Sequence, residues 1–557
     1  MRALKKTNIF KFNVITLNLY LAFAGVVTNV QAEEAVETDG EYTFMQAIKD
    51  GKSLSSIRPR YENVDEDKLQ PAPNGTKELK NTYAFTTRTL IGWQSAPYKN
   101  FSFTAQLTDV HEFNDDFNDR RNNQPEHNNG TAQSSLFKRQ FANIVDPGFT
   151  DINQLFVDWS GIKNTNFRLG RQVVNLDNVR FVGDIAFRQN TQVFDGVSVM
   201  NKTIPNTELF YSHFYQVRQI NTKDRSGDID LINAKYRISP TEFLIGYGYF
   251  INVDNLSQNA GNPVAAGFAP QGGNGLGSSQ DVPRVGNAAF ADQSNKTIGL
   301  RLDGVHIFTP NWKGLYTAEY AKQSDYSGGS ALIDAHYLRL GGGVAYNTFS
   351  VRLDHEKLSS NNGKYGFQTP LGTNHLFQGW ADHFLTTPRQ GIEDTFITAA
   401  GNIKKLKIYS EYHLFKSDEK FETLGSTIAN RKFGDKYGTE FDLGLTYPIN
   451  DKIWTKFEYA KFNESDVYGA TVVLVRNQTV FLFLHPSQSH CFFLSLLVLS
   501  FFLIELLHKV FLLDRSRLTS LFQVKFLELQ IIQGLRQQTI PPEPLYSLVQ
   551  NKVLVIL

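Results

Sequence analysis

The chain has 557 residues, of which 20% are charged and 13% aromatic, and its formal net charge is +1. Such a balanced charge argues against a protein that binds nucleic acid through bulk electrostatics, so no nucleic-acid partner is expected. The low mean hydropathy excludes a polytopic helical membrane protein over most of the length. Cys491 is the only cysteine, which excludes disulfides and thiolate metal sites from the rest of the chain.

Residues 1–32 have the layout of a secretory signal peptide. Four basic residues precede an apolar stretch from about Val14 to Val27, and small residues follow at the −3 and −1 positions of a cleavage site after Ala32. An N-terminal membrane anchor is the alternative, but the apolar stretch is short for a span of ~20 residues. We expect export, cleavage after Ala32, and a periplasmic lead over residues 33–52.

Residues 53–469 alternate between apolar and polar side chains with a period of two. Clear examples are the segments Phe101–Leu107, Phe243–Ile251, Phe349–Leu353 and Phe441–Tyr447. Alternation of this kind, without a convincing amphipathic helix between the segments, predicts an all-β protein.

The connections between these segments alternate in length. Short turns alternate with long polar connections, of which the longest are 113–151, 255–295 and 359–392. We expect 113–151 and 359–392 to act as lids over or inside the lumen, because structureless connections of this length are usually functional or disordered. Transmembrane barrels have short periplasmic turns and longer extracellular loops. The sequence therefore predicts an antiparallel β-barrel of about 18 strands in the bacterial outer membrane, with seventeen strands before Gly469 and the last of these at Ile453–Phe462. Its apolar faces should meet lipid, its polar faces should line the lumen, and the β-barrel assembly machinery should insert it.

Residues 470–557 form an atypical hydrophobic tail. The segment 471–484 is apolar on both faces, and 492–504 is almost wholly apolar. A frameshifted or read-through end explains this composition, and a fused anchor or an unusual last strand are the alternatives. We expect an aberrant last strand, which would leave one row of backbone donors and acceptors unpaired.

One long polar motif resembles a known family. It runs through Gly170-Arg171-Gln172, then 176–183, then Phe187-Arg188-Gln189-Asn190 to Gly196, and it is similar to the alginate-export family of outer-membrane porins. The segments 58–62, 374–382 and 437–442 support the resemblance, which covers about residues 45–465. It implies an eighteen-stranded barrel with a basic lumen that passes an acidic polysaccharide, although fold transfers between relatives better than substrate does.

Strand parity places charged side chains on the lumenal face. The predicted pore-lining arginines are Arg60, Arg88, Arg168, Arg237, Arg301, Arg339 and Arg352, and the predicted pore carboxylates are Glu62, Asp158, Asp303, Glu319 and Asp354. The same rule places Arg58, Glu356, Asp442 and Glu458 on the lumenal face. Pairs two residues apart on one face, such as Arg301 and Asp303, form a lattice of ion pairs in one reading. In the alternative interpretation, arginines that lack an acid two residues away bind carboxylated solutes through the paired N–H donors of their guanidinium groups. These are Arg88, Arg168, Arg237 and Arg339.

The family motif adds further candidates on or beside the connection between the fifth and sixth strands: Arg171, Arg180, Arg188, Gln189 and Asn190. This polar connection either folds into the lumen and narrows it, or is a solvated surface loop. The resemblance favours the pore.

No catalytic, cofactor or metal site is predicted. His355-Glu356 and His111-Glu112 lack the second histidine of a His-Glu-x-x-His site, and Gly51-Lys52-Ser53 lacks the upstream glycine of a phosphate loop. The sequence therefore predicts a porin, not an enzyme, that passes anionic saccharides or small anionic solutes. The alternative is a structural or adhesive barrel whose long loops are its working surface.

Overall fold

The computed structural model describes residues 42–66, 69–72, 75–119, 141–253, 294–422, 432–465 and 473–483. The predicted signal peptide and its cleavage site lie outside these residues, as do the part of the tail after residue 483 and the connections 120–140 and 254–293. Within the described residues, no helix is long and apolar enough to cross a membrane.

A short helix, α1 (Phe44–Lys49), is capped by the Thr43 side chain and precedes the sheet. Eighteen long strands follow: β1 Ser56–Glu66, β2 Thr82–Gln94, β3 Phe101–Glu112, β4 Phe149–Ile162, β5 Thr165–Gln172, β6 Val193–Asn201, β7 Thr207–Arg218, β8 Asp224–Ser239, β9 Glu242–Asn252, β10 Asn295–Ile307, β11 Trp312–Asp325, β12 Asp334–Tyr346, β13 Phe349–Leu358, β14 Ile392–Ile403, β15 Leu406–Glu422, β16 Phe433–Asn450, β17 Ile453–Glu464 and β18 Val473–Phe483. Short strands occupy Lys52–Ser53, Leu69–Ala72 and Gly75–Glu78, and a 3-10 turn occupies Asn374–Leu376. The all-β prediction and its strand count are confirmed.

Each long strand pairs antiparallel with the next, and β18 pairs with both β17 and β1. Glu62 of β1 and Glu458 of β17 both lie opposite Gln478. Among the described strands, the ladder therefore returns to its first strand and no long strand has an unpaired edge, as hydrocarbon requires. The expectation that one row of backbone groups stays unpaired is wrong, because residues 473–483, within the predicted tail, supply the missing strand.

The alternation seen in the sequence separates two faces on most strands. In β13, Phe349, Val351 and Leu353 are exposed, whereas Arg352 and Asp354 between and after them are buried. Exposed apolar residues and buried charges in one strand are the pattern of a barrel that faces lipid outside and encloses a polar interior.

Strand β9 reverses this pattern. Ile245, Tyr247, Tyr249 and Ile251 are buried, whereas Leu244 is exposed. The prediction that the apolar face of this segment meets lipid is wrong, because the barrel contains an apolar partner for it. The Phe181 ring lies 5.3 Å from the Tyr247 ring, between centroids.

That partner belongs to two connections that fold inward, residues 173–192 between β5 and β6 and residues 359–391 between β13 and β14. We call them together the lumenal insert. The backbone N–H of Gly183 donates to Leu371 O (2.9 Å), and that of Thr373 donates to Val179 O (2.9 Å). A parallel bridge between Val182 and Leu371 completes the join. Most of the insert is buried, and it contacts the inward faces of β1, β13 and β16, so it lies across the lumen.

The long connections predicted as lids have different outcomes. Residues 359–391 lie inside the barrel as part of the lumenal insert. Of the connection 113–151, Ala142 and residues 144–147 are buried, and Asn118 exchanges backbone hydrogen bonds with Ala142 and Ile144.

Candidate functional site

The lumenal insert is tied to β1 by a chain of buried ion pairs, here called the β1 network: Arg60, Glu62, Asp146, Arg188 and Asp382. Arg60 contacts Glu62 (2.5 Å) and Asp146 (3.2 Å), while Arg188 contacts Glu62 (3.1 Å) and Asp382 (2.8 Å). All five side chains are at most 3% exposed. Arg188 also lies 3.8 Å from Asp146. Each carboxylate therefore has an arginine, Arg60 bridges two acids, and Arg188 bridges three.

An aromatic ring completes this network. Phe187 lies 4.4 Å from the Arg60 guanidinium and 4.7 Å from that of Arg188, within cation–π range. The ring also stacks on His375, whose Nδ1 lies 2.7 Å from Asp382 Oδ1. The wall and both parts of the insert are thus held together by one cluster.

This packing determines the charge states of buried acids and bases in the insert and in the neighbouring connection 113–151. Burial alone would raise the pKa of Asp146, but Arg60, Arg188 and the backbone N–H of Gln189 together lower that pKa below its usual value. Burial opposes the charge on Arg188, yet Glu62, Asp146 and Asp382 raise its pKa. In contrast, burial raises the pKa of Asp184. Asp146 is therefore held as a carboxylate, whereas ionisation of Asp184 is disfavoured.

Two arginines differ from the network. Arg58 of β1 and Arg88 of β2 face each other across the strand pair. Arg58 donates to Gln189 Oε1 (2.9 Å), to Ala186 O (2.6 Å) and to Arg188 O. Among the described residues, no carboxylate oxygen lies within 4.0 Å of either guanidinium, and the buried Nε of Arg88 has no acceptor. Like charges directly opposite each other repel, so this position attracts an anion.

The insert meets the opposite wall at Arg180. Its Nε lies 2.9 Å from Glu356 Oε1, and its Nη2 donates to Gln378 Oε1 (2.9 Å). Tyr337 donates to the same Glu356 oxygen at 2.6 Å. Arg180 is 1% exposed, so the solvated-loop alternative for the motif connection is wrong. Gln189 and Asn190 are buried as well, and Asn190 donates to Pro147 O (2.8 Å).

The other predicted arginines lie on the strands with nearby partners. The pairs two residues apart form as expected: Arg301 with Asp303 at 2.7 Å and Arg352 with Asp354 at 2.8 Å. Glu319 accepts from Tyr247 (2.8 Å) and lies 4.0 Å from Arg301. Arg171, at the end of β5, contacts Asp195 of β6 at 2.7 Å.

The expectation that Arg168 and Arg339 lack carboxylates is wrong. Arg168 contacts Asp158 (2.8 Å), its direct cross-strand neighbour on β4, and Arg339 contacts Asp354 (3.2 Å) on β13. Spacing within one strand cannot reveal such partners, because they come from the register between strands. Arg237, near the end of β8, is exposed and donates to Asn206 Oδ1 at 3.0 Å in the turn between β6 and β7.

The structure also gathers a group of residues that sequence reasoning did not connect, and of these strand parity had placed only Asp442 on the lumenal face. Four carboxylates surround one histidine on β14, β15 and β16, and we call this group the acidic cluster: Asp394, Glu411, His413, Glu440 and Asp442. His413 Nδ1 lies 2.8 Å from Asp394, and its Nε2 lies 3.4 Å from Asp442 and 3.5 Å from Glu411. The signal was present as two polar pairs with equal parity, Glu411-x-His413 and Glu440-x-Asp442.

No protein-family model and no curated protein matches the sequence, so membership in the alginate-export family is not confirmed. Solved structures do match. Pseudomonas aeruginosa OccK9 (OpdG) is 13% identical with a TM-score of 0.52, over 78% of this chain and 99% of that chain. Acinetobacter baumannii OccAB4 is 12% identical with a TM-score of 0.52, over 77% and 96%. Pseudomonas aeruginosa OpdK, solved with vanillate, is 11% identical with a TM-score of 0.50, over 78% and 99%. These neighbours are outer-membrane porins, and the chain has their barrel fold.

Proposed function

We propose that the protein is an outer-membrane channel that passes small anionic solutes, carboxylated saccharides among them, through an arginine-lined lumen. The barrel fold shared with porins supports a channel rather than an enzyme. The observation that carries the preference for anions is the facing pair of Arg58 and Arg88, which has no carboxylate within 4.0 Å among the described residues. OpdK, one of the structural neighbours, was solved with a carboxylated aromatic, vanillate.

The physical reason lies in which charges are already neutralised. Arginines of the β1 network and of the strand pairs have their carboxylates at 2.5–3.2 Å, so a passing anion would have to displace a bound partner. Arg88 requires no such exchange. Its guanidinium cannot lose its proton near neutrality, so it offers a permanent charge with forked donors that match a carboxylate. Rings or pairs of fixed charges of this kind set the selectivity of pores.

The test is the reversal potential of the full chain in a planar bilayer under a salt gradient. We expect anion selectivity in the wild type and a clear loss of it in Arg88→Gln. The matched control is the double variant Arg168→Gln/Asp158→Asn, which removes an arginine together with its carboxylate and should leave selectivity unchanged. Selectivity should also fall with salt, because the screening length is about 8 Å at physiological ionic strength. Cation preference in the wild type would overturn the proposal.

A second candidate function follows from the lumenal insert. Because the insert crosses the lumen and is pinned to β1, β13 and β16, a structural or adhesive barrel that conducts little is the alternative. Single-channel conductance separates the two functions. A folded wild-type barrel that carries almost no current would favour the structural barrel, and outer-membrane export after cleavage at Ala32 belongs to both proposals.

A further inference from the structure

We propose that Glu411, His413 and Asp442 bind a divalent transition-metal cation of the Zn²⁺ class in the wall of the lumen. One ligand atom from each of these three buried residues lies within 4.8 Å of the other two. An imidazole nitrogen with two carboxylate oxygens suits zinc and its neighbours, whereas Ca²⁺ and Mg²⁺ prefer oxygen ligands alone.

The strand register creates this arrangement. Glu411 and His413 are two residues apart on β15, so both point to the lumenal side, and Asp442 of β16 lies directly opposite Glu411. Glu440 lies opposite His413 in the same strand pair. The three proposed ligands therefore come from two adjacent, hydrogen-bonded strands, which is a rigid support for a metal site.

The histidine is oriented as metal-bound histidines usually are. Its Nδ1 lies 2.8 Å from Asp394 Oδ2, which fixes the Nδ1–H tautomer and leaves Nε2 with a free lone pair. That Nε2 points between Glu411 and Asp442 at 3.4–3.5 Å and has no hydrogen-bond partner, although His413 is 1% exposed. A buried ring nitrogen that is aimed at two carboxylates, with no hydrogen-bond partner of its own, is arranged as a metal ligand would be.

The carboxylates of the acidic cluster also have oxygens that face His413 or have no hydrogen-bond partner. Glu411 Oε1 is already satisfied by Thr398 (2.8 Å) and Tyr409 (2.6 Å), so Oε2 is the oxygen that faces His413. Asp442 Oδ1 is buried and has no hydrogen-bond partner. Among the described residues, no lysine or arginine lies within 4.0 Å of any carboxylate in the acidic cluster. Buried carboxylates without a cation are strongly unfavourable, and a divalent ion removes the imbalance.

A cation bound to Glu411, His413 and Asp442 would also stabilise the position of the lumenal insert. The backbone N–H of Trp380 donates to Asp442 Oδ2 (3.2 Å), and that of Ala381 donates to Glu440 Oε1 (2.5 Å). A metal bound to Asp442 would therefore link β15 and β16 to residues 380–381 of the insert. Metal binding should raise the thermal stability of the folded barrel.

The experiment uses the full chain folded in detergent micelles, stripped with a chelator and titrated with Zn²⁺ by calorimetry. Co²⁺ is the second probe, since its visible spectrum reports nitrogen and oxygen ligation directly. We expect a single saturable site in the wild type. Binding should be lost in His413→Gln and in Asp442→Asn, and weakened about 10–100-fold in Asp394→Asn, which keeps all three ligands but removes the support of the ring.

The matched control is His213→Gln. His213 also lies beside two aspartates, with Nδ1 3.1 Å from Asp230 and Nε2 4.0 Å from Asp228, but its side chain is 43% exposed. This control should bind Zn²⁺ as the wild type does. A folded wild type without saturable Zn²⁺ binding overturns the proposal, even where a variant fails to fold. Binding that survives Asp394→Asn and Asp442→Asn unchanged overturns it as well. The readout is metal binding, so the result is independent of ion conduction.

Discussion

On the β1 side of the lumen, Arg60 and Arg188 form ion pairs with three carboxylates at 2.5–3.2 Å. On the β15–β16 side, four buried carboxylates of the acidic cluster share one histidine. The insert supplies an arginine to the first wall and the backbone N–H groups of Trp380 and Ala381 to the second. Fixed cations neutralise one wall, and the other depends on protons or on an exchangeable cation. The two walls should therefore respond in opposite ways when charge is removed.

The largest effect is expected for Arg188→Gln. This change leaves Glu62 and Asp382 as buried carboxylates with fewer cations, and breaking a buried pair in this way costs about 3–5 kcal/mol. Denaturant unfolding in micelles should show the loss, and single-channel conductance should rise as the insert detaches. The control is Arg168→Gln, whose ion pair is partly exposed and worth about 1 kcal/mol or less. Equal losses in the two variants would contradict the buried network.

The second prediction concerns the contact between the insert and the acidic cluster. Gly379 has φ of +81°, and a Cβ there would lie 2.4 Å from the Glu440 carboxyl group. Gly379→Ala should therefore lower the free energy of unfolding by about 1–3 kcal/mol through backbone strain and displacement of the carboxylate. Gly363→Ala is the matched control, since Gly363 has φ of +70° but nothing within 4 Å of its Cβ position. The difference in unfolding free energy between the two variants measures the effect of the contact with Glu440. Equal losses in the two variants would contradict a role for that contact.

The barrel itself was predictable because its signals are local. Alternation with a period of two requires only neighbouring residues, and it gave seventeen strands before Gly469 as well as the inward side of Arg352 and Asp354. The inward orientation of the apolar face of β9 was not predictable from local alternation. Tyr247 is buried against Phe181, which comes from a connection more than sixty residues earlier in the chain.

The same limit applies to the candidate site. Pairs two residues apart, such as Arg301 and Asp303, were visible in one strand. Partners that come from the register between strands were not visible in the sequence, and for that reason Arg168 and Arg339 were expected to be unpaired. The acidic cluster depends on three strands at once, so each of its residues looked like an ordinary inward polar side chain. The β18 pairings were obscured because its composition is apolar on both faces.

The third prediction uses two aspartates of the inner connections with opposite pKa shifts. The pKa of Asp146 is lowered, so its stabilisation is complete above the ordinary aspartate pKa of about 3.9 and is lost as the pH falls through the lowered value. The pKa of Asp184 is raised by burial, so its ionisation destabilises the folded state above the raised value. At neutral pH, Asp146→Asn should destabilise the protein and Asp184→Asn should stabilise it, each on the order of 1 kcal/mol.

Unfolding free energies measured from neutral to acidic pH check this prediction. The gain from Asp184→Asn should disappear as the pH falls below the ordinary aspartate range, because wild-type Asp184 is then protonated in both states. The loss from Asp146→Asn should persist to lower pH before it disappears. Two variants with the same sign at neutral pH would show that the β1 network does not determine the charge of Asp146.

The smallest effect, and the most direct test of the comparison, comes from one substitution made on both walls. Glu440→Gln removes a charge from the acidic cluster while keeping an oxygen that accepts from Ala381 N–H. In chelator-treated protein it should raise the free energy of unfolding by about 0.2–1 kcal/mol, since Glu440 and Asp442 lie two residues apart on one face of β16 and like charges in such proximity repel. Glu62→Gln on β1 should lower it, because Arg60 and Arg188 both lose their shared carboxylate. Paired denaturant titrations measure both signs under one condition. A loss in both variants would mean that the carboxylates of the β15–β16 wall are already neutralised without metal, and the contrast between the two walls would then disappear.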